Sequence, residues 1–322
     1  MKMVVMPHWS RLGALLTAAA LVVTAGCGQS PRAGTAASAD QLTIVAAAYP
    51  FQFAAERVAG SHAQVSSLTS PGSEPHDVEL TPQQTASVLE ADLVVYEKGF
   101  QPAVDEAVAQ NGRDNALDTT TVVPLANLGT EHDHEHAAEE HGDEHGEETG
   151  LDPHVWLDPA HLATIGTAVA ERLSTADPGR ASDYAANANA LQRDLTTLGD
   201  EFGAALADCE RREFITTHAA FGYLAKRYRL TQIGISGLSP DAEPSPARIA
   251  EVQTEARQHG ITTIFYETLV SPDVATAIAN DLGLRTDVLD PVEGITPESR
   301  GTDYLSVMRS NLTALETANG CR

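Results

Sequence analysis

Apolar positions along this chain come in blocks, and the blocks switch period. Leu42–Ala48 (LTIVAAA) is a continuous apolar run, the pattern of a strand covered on both faces, as in a parallel sheet. The sequence then predicts a helix over Tyr49–Gly60 and a strand over Gln64–Thr69. Thr81-Pro82 opens the next helix, with Thr81 as cap and Pro82 at the first helical position. A strand over Asp92–Tyr96, a helix over Gln101–Asn111, a short strand over Thr121–Pro124 and a helix over Pro159–Thr175 follow. From Pro178 to Leu206 there is no internal proline, and Tyr184, Leu191, Leu195, Leu198, Phe202 and Leu206 keep one apolar stripe. At ~1.5 Å per residue this helix is roughly 40 Å long.

The second half repeats the style of the first without a clear sequence repeat. Strands are predicted over Glu213–Thr217, Leu230–Ile235, Thr262–Tyr266 and Thr286–Leu289. Helices are predicted over Ala219–Tyr228, Pro246–His259, Pro272–Leu282 and Thr302–Asn319. The expected fold class is α/β, with two lobes, each a mainly parallel sheet flanked by helices, joined by one long backbone helix. The expected boundaries are a signal peptide over 1–27, a tether over 28–40, an N-terminal lobe over 41–177, a linker helix over 178–207 and a C-terminal lobe over 208–322.

One segment breaks this pattern. Glu131–Glu148 (EHDHEHAAEEHGDEHGEE) holds His132, His134, His136, His141 and His145 and nine carboxylates, without a Lys or Arg. It has no apolar side chain larger than alanine, so it cannot build a core. Neutral imidazoles bind borderline cations such as zinc, and carboxylates add oxygen donors. A solvated, metal-attracting loop over 129–150 is predicted. The bland alternative is an inert acidic linker.

Composition narrows the function classes. The formal net charge is −25, which argues against nucleic acid and other polyanions and suits a carrier of cations. Lys2, Arg11 and the apolar stretch Leu12–Ala25 form a targeting segment. It runs into Thr24-Ala25-Gly26-Cys27, which resembles a lipobox, with Cys27 as the lipid-modified first residue of the mature protein. Cys209 and Cys321 remain, and in an exported protein an even pair suggests one disulfide.

Three histidines outside the tract stand at element junctions. His76 lies in GSEPHDVEL, between a strand and a helix. His154 lies in DPHVWLDP, before a helix. His218 ends FITT and begins AAFGYLAKRY. In parallel α/β sheets the loops at strand carboxyl ends line the ligand crevice. Asp290, in VLDP, ends the last strand of the second lobe. Three imidazoles and one carboxylate, two from each lobe, make a zinc-type tetrahedral set. Each has a bland alternative as a loop cap, a core histidine or a simple turn. His62, His161 and His259 read as ordinary solvated residues.

EPHDVELTP, DPHVWLDP, FITTHAAFGYLAKRY and VLDP, in this order and with the long helix between the second and third, resemble the metal-binding solute-binding lipoproteins of zinc and manganese ABC importers. The zinc members are the nearer match, and the resemblance spans about Leu42 to Leu315. It implies that His76, His154, His218 and Asp290 are the metal ligands, with Glu267 and Glu74 in reserve for the fourth place. Asp77, Asp152 and Asp158 are further expected to serve as acceptors for imidazole N–H groups. Imidazole at His218 favours Zn2+ over Mn2+. The expected function is extracytoplasmic zinc capture, with Zn2+ as the transported ligand rather than a catalyst. Delivery would go to a membrane ABC permease, from a lipid-anchored monomer, with a zinc metallochaperone as a further partner. The rival readings are a manganese-binding protein of the same family, an exported zinc hydrolase and a metal-linked adhesin. The body of the chain has no HExxH pairing for a hydrolase.

Overall fold

The computed structural model describes residues 41–111, 115–128 and 150–322. Cys27 and the five histidines of the tract lie outside these residues.

The first lobe is built from β1 (Leu42–Ala46), α1 (Tyr49–Ala59), β2 (Ala63–Ser67), α2 (Pro82–Glu90), β3 (Leu93–Tyr96), α3 (Pro102–Asn111) and β4 (Ala116–Asp118). Its sheet is parallel, in the order β2-β1-β3-β4. Every β1 residue from Ile44 on is buried, as its apolar run requires. Thr81 and Gln84 form a reciprocal capping box at the start of α2, which satisfies helix donors that have no partner within the helix.

Two helices follow, α4 (Pro159–Ala176) and α5 (Ala181–Ala205). The second lobe holds β5 (Glu213–Thr216), α6 (Gly222–Tyr228), β6 (Thr231–Gly234), α7 (Pro246–Gln258), β7 (Thr263–Tyr266), α8 (Asp273–Leu282), β8 (Arg285–Val288) and α9 (Tyr304–Asn319). Its sheet, β6-β5-β7-β8, is also parallel and repeats the strand order of the first.

Two predicted elements differ from the structure. The fourth strand is Ala116–Asp118, which pairs with Val94–Tyr96, rather than Thr121–Pro124. Asp118 accepts from the Thr120 amide and starts a 3-10 turn over Thr119–Thr121, so the ladder ends before the Thr/Val run. The long helix is divided: Pro178–Arg180 is a separate 3-10 turn, and α5 begins at Ala181. The stripe Tyr184, Leu191, Leu195, Leu198 and Phe202 is buried as predicted.

The α5 helix packs on α1 and α4 of the first lobe and on α9 of the second. One apolar cluster runs through both lobes, from Ile44 and Phe51 through Trp156, Leu198 and Phe202 to Phe265, Val292 and Tyr304. A smaller cluster around Ile215, Ile264 and Ile278 fills the far side of the second sheet. Polar ties reinforce the junction. The Trp156 indole N–H donates to the Pro291 carbonyl at 2.8 Å, and the Tyr304 hydroxyl donates to the Trp156 carbonyl at 2.6 Å. A Cys209–Cys321 disulfide joins the start of the second lobe to its last residues.

Candidate metal centre

The site lies where loops leave the carboxyl ends of both sheets. His76 comes from the loop between β2 and α2. His154 precedes the turn Val155–Leu157 that leads into α4. His218 follows β5, and Glu293 follows β8. In the order β2-β1-β3 successive strands lie on opposite sides of β1, and this reversal opens a crevice at the strand ends.

His76 Nε2 lies 3.2 Å from His154 Nε2, and His218 Nε2 lies 3.3 Å from the same atom. Glu293 Oε1 sits 3.2 Å from His154 Nε2, 3.4 Å from His76 Nε2 and 3.8 Å from His218 Nε2. All four donor atoms fall within 4.8 Å of one another. Donors about 2.0–2.1 Å from a tetrahedral zinc are ~3.3 Å apart. Four of the spacings, 3.2–3.4 Å, match those edges, and the Glu293–His218 spacing of 3.8 Å is longer. Neither Glu293 carboxylate oxygen has a hydrogen-bond partner, although the residue is 1% exposed. The polar atoms facing this buried carboxylate are imidazole nitrogens, and a cation among these atoms would pair with its charge.

Each inner imidazole is held from behind. His154 Nδ1 donates to Asp152 Oδ1 at 2.8 Å, and the same oxygen accepts the His154 amide at 2.9 Å. His218 Nδ1 donates to Glu267 Oε1 at 2.7 Å, and the Thr217 hydroxyl donates to that oxygen as well. With Nδ1 donating, the Nε2 lone pair is the one that faces a metal once any proton on Nε2 has left. Gly222 is needed for this packing, because a Cβ there would stand 2.5 Å from Asp152 Oδ2.

Burial and charge set the protonation states. Burial lowers the His76 imidazole and keeps it neutral. For His154, burial opposes the charge, but Asp152 and Glu293 outweigh it and push the imidazole up to about 10. Burial would raise Glu293, but the His154 and His76 imidazoles against it hold it well below the usual carboxylate range. His154 and His218 are fully buried, whereas the His76 side chain keeps 11% exposure. His76 is thus the donor nearest solvent.

The structure gathers His76, His154 and His218 and leaves Asp290 out. The Asp290 oxygens are occupied elsewhere: Oδ1 accepts from the Val292 amide at 2.8 Å, and Oδ2 accepts from Thr268 and Ser299. Glu293 occupies the fourth position instead. Glu293 was not among the expected donors, although it is the next carboxylate after Asp290 on the same loop. Glu267 lies behind His218, and Glu74 accepts the His76 amide. Of the three acceptors expected for imidazole N–H groups, Asp152 plays that part. Asp158 caps α4 and pairs with Arg227, and Asp77 is exposed beside Asp241. His62 pairs with Asp183, His161 packs edge-on against Tyr223 and His259 lies by Glu213.

The chain on either side of the tract is anchored beside this centre. Ala126 and Asp152 form an antiparallel bridge, with the Asp152 amide donating to the Ala126 carbonyl at 2.9 Å. The Tyr223 hydroxyl accepts the Ala126 amide and donates to the Asp152 carbonyl.

Comparison with known proteins agrees with this chemistry. The family model described as ZnuA, zinc-uptake complex component A periplasmic, matches residues 44–318. The chain is 35% identical over 315 residues to the high-affinity zinc uptake system protein ZnuA of Bacillus subtilis (strain 168), covering 96% of this chain and 97% of that one. It is 34% identical over 284 residues to the zinc-binding lipoprotein AdcA of Streptococcus pneumoniae (strain ATCC BAA-255 / R6), covering 86% of this chain and 55% of that one. The solved Zn(II)-bound ZnuA-like domain of Streptococcus pneumoniae AdcA is similar with a TM-score of 0.71 at 32% identity, covering 87% of this chain and 99% of that one.

Proposed function

The chain belongs to the zinc-uptake complex component A family, and from that premise we propose that it captures Zn2+ outside the cytoplasm at His76, His154, His218 and Glu293. The protein is the zinc-binding component of an ABC transporter and hands its cargo to the membrane permease. The observation that carries the site assignment is the cluster of three Nε2 atoms and one carboxylate oxygen within 4.8 Å. Four protein donors leave no open position for a reacting water, which suits binding and carriage rather than hydrolysis. Three imidazoles favour zinc over manganese.

Cys27 carries the lipid anchor in this reading, residues 28–40 form the tether, and the protein acts as a monomer. The two lobes keep the boundaries 41–177 and 208–322, with 178–207 between them. Loading and release run through His76, the donor nearest solvent. The tract with His132, His134, His136, His141 and His145 collects zinc, and the described residues on either side of it, Ala126 and Asp152, are bridged to each other two residues from His154. A metallochaperone is a further source of the metal.

The test is a titration of metal-free protein with Zn2+ and Mn2+, read for stoichiometry and affinity. One tight zinc site is expected, with manganese much weaker. His154→Ala is expected to reduce zinc affinity by orders of magnitude. Unchanged affinity in that variant excludes the assignment.

A further inference from the structure

Asp290 and Glu293 stand three residues apart on the loop after β8, yet their carboxylates have opposite surroundings. Asp290 is 2% exposed and every polar group it has is engaged. Its amide donates to Asn311 Oδ1 at 2.9 Å, and its carbonyl accepts from Asn311 Nδ2 at 2.6 Å. Its carboxylate takes the Val292 amide and the Thr268 and Ser299 hydroxyls. The next carbonyl, of Pro291, accepts from the Trp156 indole. Val292, fully buried, has φ 61°. A β-branched side chain rarely adopts this left-handed conformation unless its surroundings impose it. Among the described residues, Arg229 is the other non-glycine with positive φ, and it ends a helix. Glu293 follows directly, with no hydrogen-bond partner on either oxygen and Oε1 against three imidazoles.

We propose that Asp290 is a positioning residue: its carboxylate, with Asn311 and Trp156, imposes the turn at Val292 that delivers Glu293 to the metal centre. The physical reason is conformational entropy. A glutamate has three rotatable side-chain bonds, and a loop free to move would have to be ordered each time zinc binds. Here the backbone is fixed before the metal arrives. Trp156 belongs to the segment that carries His154, so the same tie sets the distance between a donor of the first lobe and one of the second. The inference rests on Glu293 being a zinc donor.

The test is a double-mutant cycle on zinc affinity, measured by competition with a chromophoric chelator, using Asp290→Ala, Glu293→Gln and the combined variant. Asp290→Ala is expected to weaken zinc about 10–100-fold, as loss of an outer-shell partner does. In the Glu293→Gln background the same change is expected to cost almost nothing, because the two act as a unit. Additive losses overturn this inference alone. Unchanged affinity in Glu293→Gln overturns both this inference and the donor assignment. Asp290→Asn, which keeps an acceptor for the Val292 amide, is expected to recover most of the affinity, and a loss equal to that of Asp290→Ala overturns positioning. With Co2+ bound, the visible bands of Asp290→Ala are expected to move toward those of Glu293→Gln, and wild-type bands contradict the proposal. If Asp290→Ala does not fold, Val292→Gly carries the cycle. It loosens the turn while keeping its hydrogen bonds, and a ~2–5-fold loss is expected only when Glu293 is present. The same loss without Glu293 overturns the proposal.

Discussion

Each buried imidazole at the centre has a carboxylate behind it, and this fixes how zinc and protons compete. Asp152 and Glu293 push His154 up to about 10, so near pH 7 the metal-free site holds a proton there. Burial lowers His76, which is already neutral. Zinc must displace the His154 proton, so affinity is expected to fall as the solution becomes more acidic. Calorimetry in buffers of different ionisation enthalpy is expected to show about one proton released per zinc at pH 7. No release contradicts this account. Asp152→Asn removes the carboxylate that orients His154 and is expected to weaken zinc about 10–100-fold. At this scale the three histidines were legible, because each stands at a junction between a strand end and a helix start. Glu293 was not. Whether it or Asp290 turns inward depends on φ at Val292, and that depends on Trp156 and Asn311, 135 residues before and 21 residues after the groups they bond.

The helices and strands follow their apolar periods closely. The α5 stripe buries Leu198 completely and joins the cores of both lobes. Leu198→Ala is expected to lower stability by about 2–5 kcal/mol in urea unfolding, with zinc affinity unchanged. A loss of affinity in the folded variant would mean that α5 shapes the site as well as supporting it. The fourth strand leaves little local signal, because Ala116–Asp118 has 3 residues and Leu117 alone among them is buried. Its place is decided by pairing with β3, which local composition does not encode. The acidic tract can be tested apart from these elements. Deleting Glu131–Glu148 is expected to remove weaker zinc equivalents in a titration while the tightest site remains. Loss of the tightest site would transfer the main role to the tract.

At the scale of the molecule, the continuous core from Ile44 to Tyr304 and the Trp156–Pro291 and Tyr304–Trp156 bonds oppose wide separation of the lobes. Opening them would expose Trp156 and Phe202, both fully buried. Burying each large side chain is worth about 1.5–3 kcal/mol. Release is therefore expected to involve the His76 loop rather than rotation of whole lobes. Small-angle scattering of metal-free and zinc-loaded protein is expected to give nearly superimposable profiles. A large domain rotation would sink this view.

The sequence by itself determined the two parallel α/β lobes, the long buried stripe between them, the three histidine donors and the acidic, cation-seeking character. These are written in local periodicity, in residue type and in position at strand ends. Tertiary structure alone decided the fourth donor, the edge strand of the first sheet, and which carboxylates stand behind the imidazoles. Those outcomes depend on hydrogen bonds and backbone angles set by residues far apart in the chain, and no local pattern carries that information.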